Sequence, residues 1–257
     1  MQKISAIIVA KNEAHDIMAC IESVKNFAEE IIVFDSGSTD GTQDICRASG
    51  VKLFETDWPG DGPQKNRALD QATSEWVLCL DADERISAEL KTEIISILSA
   101  ESTHNAFSMP RSSSFCGQFM QHSGWWPDRI VRLFRRGSGR FSELRTHASL
   151  EINGSVGKLK GPLIHYSDRD IDEVLQKINV YSTEGALTLY KRGRRSSLSK
   201  AIGKSIWAFV RTYIFRLGVL DGRMGLVLAF ANSQETYYRY LKLWLLHHPT
   251  LSKKTAN

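Results

Sequence analysis

Residues 75–84 read EWVLCLDADE: Trp76 to Leu80 form an unbroken apolar run, and Asp81, Asp83 and Glu84 follow within four positions. An uninterrupted run of this length reads as a strand buried on both faces, the habit of a parallel sheet flanked by helices. Carboxylates this close repel and raise one another's pKa unless a cation lies among them, so the cluster is either solvated or holds a metal. A buried strand ending in charge puts a polar site at the carboxyl edge of an α/β sheet.

The same form recurs upstream in ISAIIVA (4–10), EIIVFD (30–35) and VKLFET (51–56). Helical patterns separate these runs. Ile17, Ile21 and Val24 mark a stripe after the first strand, Thr39 or Asp40 suits a helix cap after the second, and GPQKNRALDQA (62–72) supplies a third crossover. A further helix is expected around 87–100. Strand and helix alternating in this rhythm predict a doubly wound α/β sheet.

Beyond residue 105 the rhythm changes. From Asn105 to about Leu163, strand-like segments alternate with turn glycines, which suggests added strands or an insert at the sheet edge. Beyond DRDIDEVLQKINVYSTEGALTLYKRG (168–193) the chain becomes helical and basic, with KRGRRSS (191–197) as a hinge. The expected organisation is a catalytic domain over 1–190, with a nucleotide-binding half (1–100) and an acceptor half (101–190). A basic amphipathic helical region follows over 191–257.

Composition agrees with a folded chain. Of the 257 residues 42% are hydrophobic and 24% charged, with no low-complexity tract, so disorder is not expected. Cys20, Cys46, Cys79 and Cys116 lack paired metal-ligand spacing and read as reduced thiols in a cytosolic protein. The first apolar stretch is too short for a signal peptide, so export is not expected. Charge is uneven: residues 1–184 stand at −7 and residues 185–257 at +11, with 13 Lys or Arg against 2 acids in the second part. Such a tail suits nucleic acid, a phosphorylated acceptor or an anionic membrane.

In open α/β sheets ligands bind outside the carboxyl ends of the strands, where AKNE (10–13), DSGSTDGT (35–42) and DADE (81–84) fall. DSGSTDGT alone reads equally well as a turn with a helix cap. Combined with its neighbours it reads as chemistry: Asp35 can accept hydrogen bonds from a base or ribose, and small residues after it allow close approach to the backbone. Asp81 and Asp83 suit Mg²⁺ or Mn²⁺, hard ions that take few carboxylates and leave positions for diphosphate oxygens.

AIIVAKNE, IIVFDSGSTDGT and QKNRALDQATSEWVLCLDADE together resemble the family 2 glycosyltransferases, inverting enzymes of GT-A fold that use nucleotide-activated sugars. The resemblance implies that Asp35 contacts uridine, that Lys11, Lys65 and Asn66 surround the nucleotide, and that Asp83 with Asp81 serves the metal. Asn12, Glu13 and Ser36, in the same motifs, complete the expected donor-binding set. His165, in GPLIHYSDRD, matches a histidine that the family places near the metal or diphosphate; a purely structural histidine is the alternative. Many members carry two adjacent acids where this chain has Asp35 and Ser36. RIVRLFRRGSGRFSELRTHASL (129–150) is similar to a segment that usually ends in a His-Glu pair, whose glutamate is often regarded as the base. Here Ala148 follows His147, and Glu143, the nearest carboxylate, is taken as the base instead; a solvated strand residue is the alternative.

Trp125 and Trp126 can offer an apolar platform to a sugar, or pack in the core. The arginines from Arg129 to Arg145 can line an anionic acceptor site or form a solvated face. In the tail, Trp207, Val210, Ile214 and Leu217 fall on one helical face bordered by Lys200, Lys204 and Arg211, the pattern of a helix lying in a membrane interface or of one packing on the catalytic domain, and the charge excess favours the membrane. The tryptophans and leucines among these charges speak against nucleic acid. WAFVRTYIFRLGVLDGRMGL (207–226) resembles the tail of the lipopolysaccharide-core glucosyltransferases of Gram-negative bacteria. That implies UDP-glucose as donor, a lipid-linked core oligosaccharide as acceptor, and a peripheral place on the cytoplasmic face of the inner membrane. The alternatives are another sugar or acceptor, or a non-catalytic nucleotide-sugar-binding scaffold.

Overall fold

The computed structural model describes residues 2–143 and 148–248. The first part alternates as expected: β1 (Ile4–Ala10), α1 (Ile17–Val24), β2 (Glu30–Asp35), α2 (Thr42–Ala48), β3 (Lys52–Glu55), α3 (Asp61–Gln71) and β4 (Trp76–Asp81). A short β5 (Glu84–Ile86) and α4 (Ala88–Ser99) follow. The glycine-rich middle forms β6 (Ala106–Phe115), β7 (Gln118–Phe119), β8 (Asp128–Arg135), β9 (Gly139–Phe141), β10 (Leu150–Ile152), β11 (Val156–Lys158) and β12 (Leu163–Asp168). The chain ends in α5 (Ile171–Lys191), α6 (Leu198–Val210) and α7 (Gly222–Leu246).

The main sheet runs β3-β2-β1-β4-β8-β6-β12-β5, with β7 and β11 paired to β6. The β1, β2, β3 and β4 pairings are parallel, whereas β8 joins β4 and β6 antiparallel. The unbroken apolar runs follow from burial on both faces. Ile4, Ala6 and Ile8 with Leu78 and Leu80 share one core with Ile17, Cys20, Ile21 and Val24 of α1, while Ile7, Val77 and Cys79 share the other with Ala68 and Leu69 of α3. Full burial of a side chain such as Ile8 or Leu78 contributes about 1.5–3 kcal/mol, so a charge at either position would disrupt the sheet. All four cysteines are free thiols.

Two compact units emerge, Met1–Ser112 with Asp128–His165, and Ser113–Pro127 with Tyr166–Asn257. This division lies upstream of the one expected at 190/191, because α5 packs against α7 and Val174 and Ile178 share a core with Phe115, Met120, Leu228 and Ala231. Trp125 packs edge-on against Phe115 with ring centroids 5.8 Å apart, which gives one of the two adjacent tryptophans to the core.

The tail departs from a continuous helix. After α6 comes a π-helical turn (Arg211–Phe215), then Leu217 in the left-handed region (φ 56°) and a 3₁₀ turn (Gly218–Asp221). Trp207 and Val210 therefore lie on α6, Ile214 in the π turn and Leu217 at the break, not on one regular helix. Among the described residues, no helix is long and apolar enough to cross a membrane.

Candidate active site

The parallel register brings three chain ends together: Ala10 of β1 pairs with Asp35 of β2, and Val9 with Asp81 of β4. β2 and β3 extend to one side of β1 and β4 lies on the other, so the strand order reverses here, where open sheets bind ligands.

The loops after β1 and β2 are stitched to one another. Asn12, held at φ 57°, donates its N–H to Ser38 Oγ (2.7 Å) and accepts the Thr39 N–H on Oδ1 (2.9 Å). The Glu13 N–H reaches Thr42 Oγ1 at 2.8 Å, and Asp40 accepts the N–H groups of Ala14 (2.9 Å) and Thr42 (3.1 Å). Asp40 thus takes up the first N–H of α2, but the N-cap position is Gly41 and not Thr39 or Asp40 as expected, and no side chain caps the helix there. Asp35 is fully buried. Its carboxylate accepts from the N–H groups of Gly37 (3.1 Å) and Ser38 (2.9 Å), from Gln43 Nε2 (2.6 Å) and from Ser38 Oγ. The carboxylate therefore shapes its own loop. Gly37, at φ 78°, takes a backbone conformation that costs glycine nothing.

Helix α3 buries three consecutive polar residues. Gln64 donates to Ser36 Oγ (3.0 Å) and Thr56 Oγ1 (2.7 Å), and Lys65 lies between Asp61 Oδ1 (2.9 Å) and Asp81 Oδ1 (3.0 Å). Asn66 exchanges hydrogen bonds with the Phe141 backbone, both at 2.9 Å, and donates to Glu143 Oε1 at 3.2 Å. A helix clasped on this many sides leaves no room for a side chain at Gly62, whose Cβ would stand 1.8 Å from the Ser142 carbonyl oxygen. The Ala148 N–H, one residue past the undescribed 144–147, donates to Asp61 Oδ2 at 3.0 Å.

The DADE carboxylates are compensated by side chains. Arg132 of β8, almost wholly buried, donates to Asp81 Oδ2 and to Glu84 Oε1 (2.7 Å). Glu84, fully buried, accepts the Asp81 N–H at 3.1 Å, and Arg111 lies 3.8 Å away while pairing with Asp128 at 2.6 Å. Burial opposes ionisation of Asp81, but Arg132 and Lys65 outweigh it and hold its carboxyl well below the usual range. For Glu84 burial prevails over Arg132, and its pKa is raised. Burial likewise opposes the charge of Lys65, but Asp81 and Asp61 outweigh it and its pKa rises.

Asp83 stands apart from this network, with its Oδ2 3.3 Å from His165 Nε2. β12 pairs with β5 so that His165 lies opposite Glu84, which carries the imidazole to the DADE turn. A carboxylate oxygen beside an imidazole nitrogen, both partly open to solvent, is a donor pair suited to Mn²⁺ or Mg²⁺ with further oxygens from a diphosphate. Among the described residues no set of three or more His, Cys, Asp or Glu side chains is arranged to hold a metal ion.

Residues 5–152, more than half of the chain, match the sequence profile of glycosyl transferase family 2. The chain belongs to this family. An uncharacterized glycosyltransferase of Rickettsia typhi is 32% identical over 270 aligned positions, covering 100% of this chain and 90% of the relative. LpsC, a lipopolysaccharide core biosynthesis glycosyltransferase of Rhizobium meliloti, is 30% identical over 92% of this chain and 93% of its own length. Among solved structures, the crystal structure of Staphylococcus aureus TarS 1-349 aligns at 16% identity and a TM-score of 0.48, covering 96% of this chain and 92% of that one. The family and the sheet together make this a GT-A glycosyltransferase with C-terminal helices.

Within this glycosyltransferase, the residues named from sequence fall into three groups. Lys11, Asn12, Glu13, Asp35 and Ser36 lie in or beside the stitched loops, with the Asp35 carboxylate turned into its loop. Lys65, Asn66 and Asp81 meet in the charged network, where both Asp81 oxygens are engaged by cations. Asp83 joins His165. His147 lies outside the described residues. Asp61 and Gln64 are not among the residues named from sequence, which takes Glu84 only as part of the carboxylate cluster and Arg132 only as part of the arginine run. A charged residue inside the apolar run of β8 was the available signal for Arg132. Within the arginine-rich segment, Arg129 donates to Leu159 O at 2.7 Å, Arg135 covers Trp76 at 4.6 Å and Arg140 pairs with Asp70 at 2.8 Å, while Arg145 lies outside the described residues.

Proposed function

We propose that this glycosyltransferase moves glucose from UDP-glucose to a lipid-linked core oligosaccharide at the surface of a membrane. The observation that carries the donor half is the Asp83–His165 pair beside a charge-balanced Lys65–Asp81–Arg132–Glu84 network at the strand-order switch. The likeness to LpsC over nearly the full length of both chains supports the acceptor half.

In this reading the stitched loops after β1 and β2 form the floor for the nucleotide, with Asp35 setting their shape from beneath. Asp83 and His165 hold Mg²⁺ or Mn²⁺, which when bound supplies positive charge for the departing diphosphate. Asp81, kept ionised by Lys65 and Arg132, fixes both cations at the edge of the donor site. Glu143, oriented by Asn66, accepts the proton of the acceptor hydroxyl as that oxygen attacks the anomeric carbon, and configuration inverts.

The test is transfer from radiolabelled UDP-glucose to core oligosaccharide-lipid by the purified chain, with and without chelator. Product of one added hexose, lost with chelator and restored by Mn²⁺, is the expected result. Binding of UDP-glucose without transfer to any core acceptor would favour the scaffold reading.

A further inference from the structure

The second compact unit carries a corner whose surface does not suit a protein surrounded only by water. Between α6 and α7, Ile214, Phe215, Leu217, Val219 and Leu220 are each 50–67% exposed within seven positions. Trp207 and Phe215, both exposed, touch with ring centroids 5.5 Å apart. Contiguous exposed apolar groups of this kind mark an interaction surface.

The corner is pinned from beneath, so these side chains have no route into the core. Buried Asp221 accepts from the N–H groups of Gln121 (3.0 Å) and His122 (3.1 Å) and from Ser123 Oγ (2.7 Å). The Ser123 N–H in turn holds the Arg216 carbonyl at 2.8 Å. Gly225 packs so tightly on the corner that a Cβ there would stand 1.8 Å from the Gly218 carbonyl oxygen.

The rim decides the partner. Lys204, Arg211, Arg216 and Arg223 are exposed, each within three positions of Trp207 or of an exposed apolar residue of the corner. Asp221 is the sole acid from residue 185 to 234, and its carboxylate is buried and consumed. An apolar tip with an aromatic pair and a cationic, acid-free border matches the boundary between anionic headgroups and acyl chains.

We infer that the 211–221 corner is the element that inserts into an anionic lipid monolayer, with Trp207 and Phe215 at the headgroup level and the surrounding Lys and Arg on the phosphates. The inference rests on the membrane-surface acceptor proposed above and assigns the contact to one short segment, not to the basic tail at large.

The experiment uses the full-length chain, with vesicles of phosphatidylglycerol and phosphatidylcholine in equal parts and vesicles of phosphatidylcholine alone. Wild type is expected to sediment with the first and weakly with the second. Phe215→Glu and Leu220→Glu should each lower partition about tenfold or more, because one large apolar side chain leaves the lipid and a like charge faces it. Melting temperature and acceptor-free hydrolysis of UDP-glucose should stay at wild-type levels. Should a variant fold poorly, brominated acyl chains give a second reading: they should quench wild type more than Trp207→Phe. Equal binding of wild type and folded corner variants, or no Trp207-dependent quenching, overturns the corner assignment while leaving membrane attachment standing. Equal binding to both vesicle types removes the anionic requirement. Wild type left in the supernatant with both overturns attachment itself, and transfer to a detergent-solubilised acceptor then judges the catalytic reading separately.

Discussion

Replacing Arg132 by methionine tests whether the buried network is what holds the donor edge together. The guanidinium joins two strands, donating to Asp81 at the end of β4 and to Glu84 at the start of β5. Methionine fills much of the volume but leaves Glu84, fully buried, with Arg111 at 3.8 Å as its nearest remaining cation in this network; Asp81 retains Lys65. Removing one partner of a buried ion pair costs about 3–5 kcal/mol. For a chain of this size that lowers the melting temperature by about 6–20 °C, at about 2–4 °C per kcal/mol. The pH dependence has a definite sign. Burial already raises the Glu84 pKa while Arg132 opposes the rise, so removing Arg132 raises it further. A raised carboxyl pKa contributes stability that is complete below the unfolded value and lost as pH rises through the folded value. The gap between Arg132→Met and wild type should therefore be wider at pH 8 than at pH 5.5. Adding Glu84→Gln to Arg132→Met should recover part of the loss, since glutamine can still accept the Asp81 N–H without an orphaned charge. Calorimetric melts of the three proteins at both pH values are the assay. A single variant melting within about 2 °C of wild type, or a double variant no better than the single, would refute this account of the network.

Asp83→Ala should abolish Mn²⁺-dependent tightening of UDP binding and reduce transfer by about a hundredfold or more, while metal-free UDP binding changes little; calorimetric titration with and without Mn²⁺ checks both. Glu143→Gln should lower kcat by about a hundredfold or more with little change in the KM for donor, since a base acts in the transition state; unchanged kcat moves the base to another carboxylate. Gly62→Ala places a methyl group 1.8 Å from the Ser142 carbonyl oxygen, so the 141–143 segment must shift. Soluble yield or melting temperature should fall, and a variant that melts like wild type would show that the close approach is not required.

The parallel half of the sheet was legible because each strand is a continuous apolar run with polar residues concentrated at its carboxyl end. The candidate site was legible at the same points, as AKNE, DSGSTDGT and DADE. Spacing along the chain could not show the pairing of Arg132 with Glu84, 48 positions apart, since only the placement of β8 beside β4 brings them together. Nor could it show that Asp35 turns inward, because a carboxylate before Ser-Gly-Ser serves a ligand or its own loop with the same residues. The tail's helical spacing was read correctly as far as Val210. Beyond it the π turn, the left-handed Leu217 and the packing of Gly218 on Gly225 redirect the chain, and these arise from tertiary contact.

Lys65 has a consequence for which phosphates the cleft admits. Its ammonium is already shared between two carboxylates and the neighbouring guanidinium is spent in the same way, so this cluster presents almost no surplus positive charge to an approaching polyanion. A diphosphate can gain from these cations only by displacing a carboxylate, an exchange whose net return is small. On the proposed donor reading, recognition then depends on what accompanies the phosphates, the nucleoside on the loop floor and a cation at Asp83. ATP and inorganic pyrophosphate, abundant in any cell, should compete poorly with UDP-sugar, and spent UDP should leave without a large electrostatic penalty.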